Sequence, residues 1–139
     1  MLLTSSQARA VIDAAEVKAS AMGIPAIVAV VDAGVHLKAF MRMDDAVLGS
    51  IDIALKKART AALFQTHSEA VWEYCKPGAP APALELTNGG LAPFGGGIPL
   101  RSAAGELLGA VGVSGGAVAQ DMEIAQAAAA ALTIRSIDA

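Results

Sequence analysis

The chain has 139 residues, a formal net charge of -3 and 55% hydrophobic residues, although only 4% are aromatic. This length suits one domain with a single core, and the lone cysteine, Cys75, excludes an intrachain disulfide. The 10 Lys and Arg residues are dispersed, which argues against nucleic-acid binding, and no apolar run is long enough to predict a transmembrane helix.

The first third of the chain predicts a helix and a β-hairpin. Thr4 and Gln7 form a capping-box pattern, so we expect a helix from there to Met22. The continuous apolar run over residues 26–31 is typical of a strand that is covered on both faces. Alternating residues over 36–42 predict the return strand, so the two segments are expected to pair.

The middle third predicts two helices and a loop. Ser50 suits an N-cap, and the residues from Ile51 to about Phe64 follow helical spacing. Ser68 can cap a second, shorter helix. Residues 76–82 are rich in Pro, Gly and Ala, so we expect them to form an irregular surface loop.

The last third predicts three strands and a helix. The strands are expected over residues 91–94, 98–101 and 107–113, and an Ala-rich helix follows from Val118 to about Ile137. The complete order favours an α+β fold in which helices pack on a central antiparallel sheet of about five strands. Neither a linker nor a repeat interrupts the sequence, so residues 1–139 are expected to form a single domain.

The composition also predicts self-association. A small domain with this much Ala, Val, Leu and Ile must leave part of it exposed, and exposed apolar patches usually mark interfaces. We therefore expect a homo-oligomer with closed symmetry. The N-terminal residues lack the basic and apolar regions of a secretory signal, which favours a cytoplasmic protein.

Residues 112–116 match the G-x-S-x-G pattern of a serine nucleophile, with Ser114 at its centre. In the hydrolases that use this pattern the histidine base follows the serine, whereas His36 and His67 both precede it. The pattern therefore favours a tight turn whose backbone N–H groups face a ligand or cap the last helix.

Three consecutive glycines, Gly95, Gly96 and Gly97, lack the features of a phosphate-binding loop. They predict either a bent hairpin tip or a backbone that approaches a ligand closely. Two histidines and one cysteine cannot furnish a closed zinc site, so no metal site is expected. Either histidine could instead bind haem iron or act as a general base near neutral pH.

Polar residues also stand at the ends of predicted elements. Arg42 and Asp44 close the second strand, and Asn88 precedes two glycines. Such residues form either a solvated ion pair and a turn, or a polar wall of a pocket, because pockets collect a few polar groups at element ends. These residue types alone name no reaction.

Several of these motifs resemble those of the GlcG/HbpS-like haem-binding domain family, in order along essentially the whole chain. The resemblance includes a Ser-x-Asp-x-Ala…Lys-Ala…Thr-Ala helix, an Asn-Gly-Gly…Phe-x-Gly-Gly-x-Pro block and a Gly-x-x-Gly-Val-Ser-Gly-Gly strand. The residues that carry it are 30–37, 40–44, Ser50, Asp52, Ala54, Lys57, Ala58, Thr60, Ala61, Asn88, Gly89, Gly90, Phe94, Gly96, Gly97, Pro99 and 109–116.

The resemblance implies a profilin-like or PAS-like domain that assembles as dimers or rings of dimers. Members of the family include haem-binding proteins, the C-terminal domain of PduO-type corrinoid adenosyltransferases and proteins of glycolate operons. A few similar chains are lyases that act on hydroxylaminobenzoate. The resemblance therefore implies a small-molecule-binding protein, with haem or another tetrapyrrole as the first candidate ligand. The alternative is a cofactor-independent lyase, or a related enzyme, acting on a small aromatic carboxylate or a hydroxy acid.

The chain departs from the family pattern in three places. Many relatives carry Gly-Gly at the first turn, where this chain has Gly34-Val35. The loop that often reads Gln-Pro-Gly-Gly-Pro in relatives is Cys75-Lys76-Pro77-Gly78-Ala79-Pro80 here, and the stretch over residues 66–75 matches no motif of the family. If that loop lines the pocket, the ligand can differ from that of the haem-binding members.

On this resemblance we expect one pocket built from nine residues. Its cations, Arg42 and Lys57, would hold carboxylates or propionates, and its glycine N–H groups would donate neutral hydrogen bonds. His36 is the preferred histidine; in an enzyme, His36 or Asp44 would be the general base. The nine residues are His36, Arg42, Asp44, Lys57, Asn88, Gly95, Gly96, Gly97 and Ser114.

Overall fold

The computed structural model describes the backbone of residues 2–138 and the side chains of residues 2–132. The predicted α+β fold class is confirmed. In chain order the elements are helix α1 (Ser5–Met22), strands β1 (Ile27–Asp32) and β2 (Leu37–Arg42), helices α2 (Gly49–Phe64) and α3 (Ser68–Cys75), a 3-10 helix (Leu84–Leu86), strands β3 (Gly97–Arg101) and β4 (Leu107–Ser114), and helix α4 (Val118–Asp138).

The strands form one antiparallel sheet in the order β2-β1-β4-β3. Helix α2 packs on one face, against β1, β4 and β3. Helices α1 and α4 pack against each other and cover the opposite face. Because β1 lies inside the sheet and is covered on both faces, its apolar run is continuous rather than alternating, as predicted.

Local sequence signals determine both ends of α1. The hydroxyl of Thr4 accepts a hydrogen bond from the N–H of Gln7 at 3.0 Å, and the Gln7 side chain accepts one from the N–H of Thr4 at 2.9 Å. The predicted capping box is therefore confirmed. Gly23 has a φ of 71°, the left-handed conformation that favours glycine, and it ends the helix.

The described residues form four strands where about five were expected, because residues 91–94 pair with none of these strands. The N–H of Ala92 donates instead to the hydroxyl of Thr60 in α2, at 3.0 Å. Leu91 and Ala92 are nevertheless buried. Burial of this irregular segment explains the apolar character that predicted a strand.

Small residues let α2 approach the sheet closely. Ala54, Ala58 and Ala61 are fully buried in the layer between α2 and the sheet. At Gly112 in β4, an added Cβ atom would overlap the carbonyl oxygen of Ala54. Aromatic rings do not fit in so thin a layer. Every aromatic side chain is instead at least 38% exposed: Phe40, Phe64, Trp72, Tyr74 and Phe94.

The glycine run lies in the interior of the molecule. Gly95–Gly97 are buried and lead into β3, whereas the hairpin tip between β3 and β4 is formed by residues 102–105. The prediction of a bent hairpin tip is therefore wrong. An added Cβ atom at Gly97 would overlap the carbonyl oxygen of Lys57, so close packing against α2 requires glycine here.

Two further findings concern the described residues alone. None of their helices combines the length and the apolar character needed to cross a bilayer. No group of three or more His, Cys, Asp or Glu side chains in this part of the chain is placed to hold a metal ion.

Candidate functional site

The structure packs Lys57 against Gly96 and Gly97, but the other predicted site residues lie at several separate places in the fold. Arg42 and Ser114 lie at one end of the sheet, where they pair with Ile27 from opposite sides. His36 lies at the other end of β2, beside the turn that joins β1 and β2. Asn88 lies on the surface, after the 3-10 helix. The structure therefore does not bring these residues into one pocket.

His36 is far from the carboxylate with which it was expected to share a site. The whole of β2 separates His36 from Asp44, and because a strand rises about 3.3 Å per residue, their backbones are roughly 20 Å or more apart. The His36 side chain is 83% exposed, and its Nδ1 lies 3.5 Å from Oδ1 of Asp32. The cavity that His36 lines has a volume of only about 210 Å³.

Lys57 is buried against a carboxylate partner. Its side chain is 1% exposed, and its Nζ donates to Oδ2 of Asp121 at 3.0 Å and to the carbonyl oxygen of Val113 at 2.8 Å. Burial lowers the pKa of Lys57, and the Asp121 carboxylate opposes that shift. The Nζ also lies 5.2 Å from the centre of the Phe94 ring. In this arrangement Lys57 joins α2, β4 and α4.

The segment over residues 112–116 ends strand β4 and leads into the last helix. The hydroxyl of Ser114 donates to the hydroxyl of Ser50 in α2 at 3.1 Å, and both side chains are buried. The N–H of Gly116 donates to Oδ1 of Asp121, in the first turn of α4, at 2.9 Å. Of the two alternatives predicted for this segment, the Gly116 contact corresponds to the one at the start of the last helix.

Asn88 occupies a tight turn. Its φ is 55°, a left-handed value that Asn adopts more readily than most residues. Its carbonyl oxygen accepts a hydrogen bond from Nη2 of Arg59 at 3.1 Å, and its amide donates to the Thr87 hydroxyl at 3.0 Å. The conformation of the turn is thus sufficient reason for an Asn at this position.

Four of the five aromatic side chains surround α3, where none of the nine predicted residues lies. Trp72 and Tyr74 are on α3 itself, Phe64 is the last residue of α2, and Phe94 precedes β3. Aromatic side chains usually dominate a protein core, because they bury a large apolar area. Their clustering at the surface indicates a binding region beside α3.

Two grooves flank α3, and we name them after their aromatic residues. The Trp72 groove has a volume of about 460 Å³ and is lined by Glu69, Trp72, Glu73, Pro93 and Phe94. The Tyr74 groove has a volume of about 570 Å³ and is lined by Phe64, Thr66, Ala70, Val71, Glu73, Tyr74, Ala81 and Leu84. Both volumes fall in the range of roughly 300–1,000 Å³ that is typical of ligand pockets, whereas the cavity at His36 is smaller.

His67 lies at the start of α3, next to both grooves along the chain. Thr66 lines the Tyr74 groove, and Glu69 lines the Trp72 groove. The Nδ1 of His67 lies 3.3 Å from Oε1 of Glu69, and the His67 side chain is half-exposed. A carboxylate at Nδ1 fixes the orientation of the ring and directs ligand binding to Nε2.

In this region the sequence interpretation named only His67 as a residue that could bind a ligand or act in catalysis. The missed signal was the distribution of the aromatic residues: two of the chain's five, Trp72 and Tyr74, fall in one helix of 8 residues. Residues 66–75 also match no family motif. Several of these residues do line the two grooves.

Comparison with known proteins finds relatives along nearly the whole chain. The family model described as "Haem degrading protein HbpS-like" matches residues 3–130. A protein of Citrobacter freundii, described as an uncharacterized 15.0 kDa protein in the dhaT-dhaS intergenic region, is 39% identical over 127 residues. That match covers 91% of this chain and 89% of the relative.

Two other similarities involve PduO. The corrinoid adenosyltransferase PduO of Citrobacter freundii is 40% identical over 124 residues, which cover 88% of this chain but 37% of PduO. The crystal structure of a PduOC–haem complex has a TM-score of 0.89 and 38% identity, and the match covers 94% of this chain and 95% of that one. The similarity thus extends from the sequence to the fold.

Proposed function

The chain belongs to the HbpS-like family, and from this premise we propose that it binds haem in the Tyr74 groove, with His67 as the ligand to the iron. The observation that carries the proposal is the likeness to the PduOC–haem complex, which extends over nearly the whole chain in sequence and in fold. Other tetrapyrroles share the planar, largely apolar shape of haem and belong to the same ligand class.

The size and lining of the Tyr74 groove support a large, flat, apolar ligand. Its volume of about 570 Å³ exceeds that of the other grooves described above. Phe64 and Tyr74 offer aromatic surface, and the hydroxyls of Thr66 and Tyr74 offer polar contacts. Ligand pockets typically combine a mainly apolar lining with a few such polar groups.

The environment of His67 supports its role as the iron ligand. Oε1 of Glu69 lies 3.3 Å from Nδ1 of His67, and a carboxylate at the ring nitrogen that does not bind the metal orients the imidazole and raises its basicity. His36 has a similar carboxylate at Asp32, but its small cavity leaves no space for a macrocycle. His67 lines neither groove itself, but it follows the groove residue Thr66 in the chain, whereas His36 lines only the small cavity.

The charges at the groove suit a ligand with carboxylate arms. The Nη2 of Arg101 donates to the carbonyl oxygen of Gln65 at 2.8 Å, and Gln65 lies between two lining residues, Phe64 and Thr66. Nη1 of Arg101 also donates to the carbonyl oxygen of Gly105 at 3.1 Å, so a propionate would bind to the N–H groups that these two bonds leave over. The one carboxylate in the lining, Glu73, is already paired with Lys76.

Haem bound at this place would supply an iron centre for small ligands or for electron transfer. The chain itself would supply the imidazole of His67 as a ligand, the aromatic contacts that hold the macrocycle, and the apolar walls that exclude water from it. We propose binding, and we assign no reaction to these residues.

A haemin titration of the purified protein tests this proposal, with two matched phenylalanine variants. Phe64 lines the Tyr74 groove and is 38% exposed, whereas Phe40 lies on edge strand β2 and is 40% exposed. We expect a saturable, stoichiometric Soret shift that is at least several-fold weaker in Phe64→Ala and unchanged in Phe40→Ala. Equal affinities in the two variants would place the ligand elsewhere.

The lyase alternative stays a prediction. Wild-type protein that gives no Soret shift, yet turns over hydroxylaminobenzoate in a colourless preparation, would favour the alternative. In that case His36 or Asp44 would be the base to substitute first, as the sequence interpretation proposes.

We also propose that the chain self-associates, as its composition predicts. Large apolar side chains are exposed outside the two grooves: Val17 by 71%, Val47 by 65% and Leu48 by 70%. Exposed apolar surface of this kind is typical of interfaces. Light scattering should give a mass of at least two chains, and a monomer at micromolar concentration would contradict the proposal.

A further inference from the structure

The Trp72 groove differs from the Tyr74 groove in its charge. We propose that it is a separate site for a small organic ammonium ion, such as a quaternary amine. This inference does not depend on haem binding, because only Glu73 lines both grooves. Glu69 enters the haem proposal only through its contact with His67.

The aromatic lining of the groove is the first support. Trp72 is 43% exposed and Phe94 is 40% exposed, so both offer ring surface to a ligand in the groove. The face of an aromatic ring carries negative partial charge and attracts ammonium groups, Trp most strongly. Aromatic cages built on this principle recognise quaternary ammonium ions.

The charges of the groove are the second support. Its lining contains two carboxylates, Glu69 and Glu73, and no cation. Glu73 is paired with Lys76, and Oε1 of Glu69 lies 3.3 Å from Nδ1 of His67. Oε2 of Glu69, however, is buried and has no hydrogen-bond partner among the residues that the structure describes. A buried carboxylate oxygen without a partner is costly, and a cation in the groove would compensate for it.

Phe94 already contacts one ammonium group. The Nζ of Lys57 lies 5.2 Å from the centre of the Phe94 ring, within the distance typical of a cation–π contact. Asp121, 3.0 Å from that Nζ, balances the charge of Lys57, so the buried pair adds little net positive charge beneath the groove.

The same charges select against anionic ligands. Oε2 of Glu69, which has no hydrogen-bond partner among the described residues, repels propionates and other acids and attracts an amine, whereas Glu73 is paired with Lys76. A volume of about 460 Å³ accommodates a small organic cation together with its hydration water. The Trp72 groove therefore favours cationic ligands, whereas Arg101 at the rim of the Tyr74 groove favours anionic ones.

Trp72 is the only tryptophan of the chain, so its fluorescence reports directly on this groove. We expect tetramethylammonium and choline to change the emission of Trp72 saturably. The neutral analogue of choline, 3,3-dimethyl-1-butanol, should bind at least tenfold more weakly. An equal response to the neutral analogue, or no saturation with either cation, would overturn the proposal.

Two glutamine variants test the role of charge. Glu69→Gln should weaken tetramethylammonium binding at least tenfold, whereas Glu16→Gln, on the exposed side of α1, should leave it unchanged. Unchanged affinity in Glu69→Gln would overturn the proposal. If Glu69→Gln does not fold, calorimetric titration of Phe94→Leu with tetramethylammonium replaces this test. Loss of tetramethylammonium binding in Phe94→Leu would support the site, and unchanged binding would refute it.

The haem site and the ammonium site can fail independently. In Phe64→Ala, which alters the Tyr74 groove alone, tetramethylammonium should bind with wild-type affinity. If Phe64→Ala loses both ligands, the two grooves are one site and the inference of a separate ammonium site is wrong.

Discussion

The ammonium group of Lys57 lies 3.0 Å from the carboxylate of Asp121, and the two side chains are 1% and 3% exposed. The pair joins α2 to the first turns of α4, next to β4. Both partners also make a second hydrogen bond, Lys57 to a carbonyl oxygen of β4 and Asp121 to the N–H of Gly116. A buried pair with these additional bonds positions the helices on both sides of the sheet.

Breaking this pair should destabilise the protein strongly. Asp121→Asn and Lys57→Met each leave one uncompensated charge or polar group in the interior, which costs about 3–5 kcal/mol in the free energy of unfolding. The double variant should recover part of that loss, because it leaves no unpaired charge. Urea unfolding of the three variants measures these values. Single variants that lose less than about 1 kcal/mol would mean that water reaches the pair.

Close packing at Gly97 predicts a severe effect of a single methyl group. In Gly97→Ala the new Cβ atom would overlap the carbonyl oxygen of Lys57, so backbone must shift, at a cost of about 1–3 kcal/mol or more. Gly49→Ala is the matched control, because nothing lies within 4 Å of a Cβ atom there. Thermal unfolding should show a lower Tm for Gly97→Ala and no decrease for Gly49→Ala. Equal Tm values would contradict the packing described here.

The thiol of Cys75 should be unreactive and should make stability depend on pH. Burial raises the pKa of Cys75, and the neighbouring Glu85 carboxylate adds to that shift. The unfolded chain ionises its thiol from about pH 8.5 upward, while the folded chain keeps the proton. The thiol's contribution to the free energy of unfolding is therefore complete below that pH and is lost as the pH rises.

Urea unfolding of wild type and Cys75→Ala at pH 7 and pH 9.5 isolates this effect. From pH 7 to pH 9.5, the free energy of unfolding should decrease more for wild type than for Cys75→Ala. Reaction with a thiol reagent at pH 8 should be slow until urea unfolds the chain. Rapid labelling of the native protein would contradict the burial of Cys75.

Most of the fold was predictable because its signals are local. The capping box at Thr4 and the continuous apolar run of β1 depend on neighbouring residues, and both appear as expected. The segment at Leu91 and the glycines at 95–97 were misjudged, because their conformation depends on Thr60 and Lys57, which are distant in sequence. Residue type alone carries no information about such contacts.

The site was less predictable than the fold. His36, Arg42 and Asp44 were grouped because they fall in motifs shared with the family, but His36 precedes β2 whereas Arg42 ends it and Asp44 follows it. The grooves beside α3 form only when Phe64 and Phe94, from two other segments, meet Trp72 and Tyr74. In the sequence, only the occurrence of two aromatic residues in the short helix α3 indicated these grooves.

Arg101 and Arg42 are the two arginines proposed to bind a ligand carboxylate, and variants of the two distinguish the proposed pockets. If a carboxylate ligand binds in the Tyr74 groove, Arg101→Gln should weaken haemin binding several-fold and reduce its dependence on salt. Arg42→Gln, at the exposed end of β2, should leave both unchanged. Isothermal titration at two salt concentrations provides the comparison. If only Arg42→Gln weakened haemin binding, the result would favour the pocket expected from the sequence.

The most direct test of haem binding beside α3 is a haemin titration of wild type, His67→Ala and His36→Ala, followed at the Soret band. Both histidines are exposed, by 50% and 83%, so neither substitution should disturb folding. We predict a stoichiometric shift in wild type, the same shift in His36→Ala, and a weaker, blue-shifted spectrum in His67→Ala. A spectrum lost in His36→Ala and retained in His67→Ala, or no saturable shift in wild type, would contradict the account.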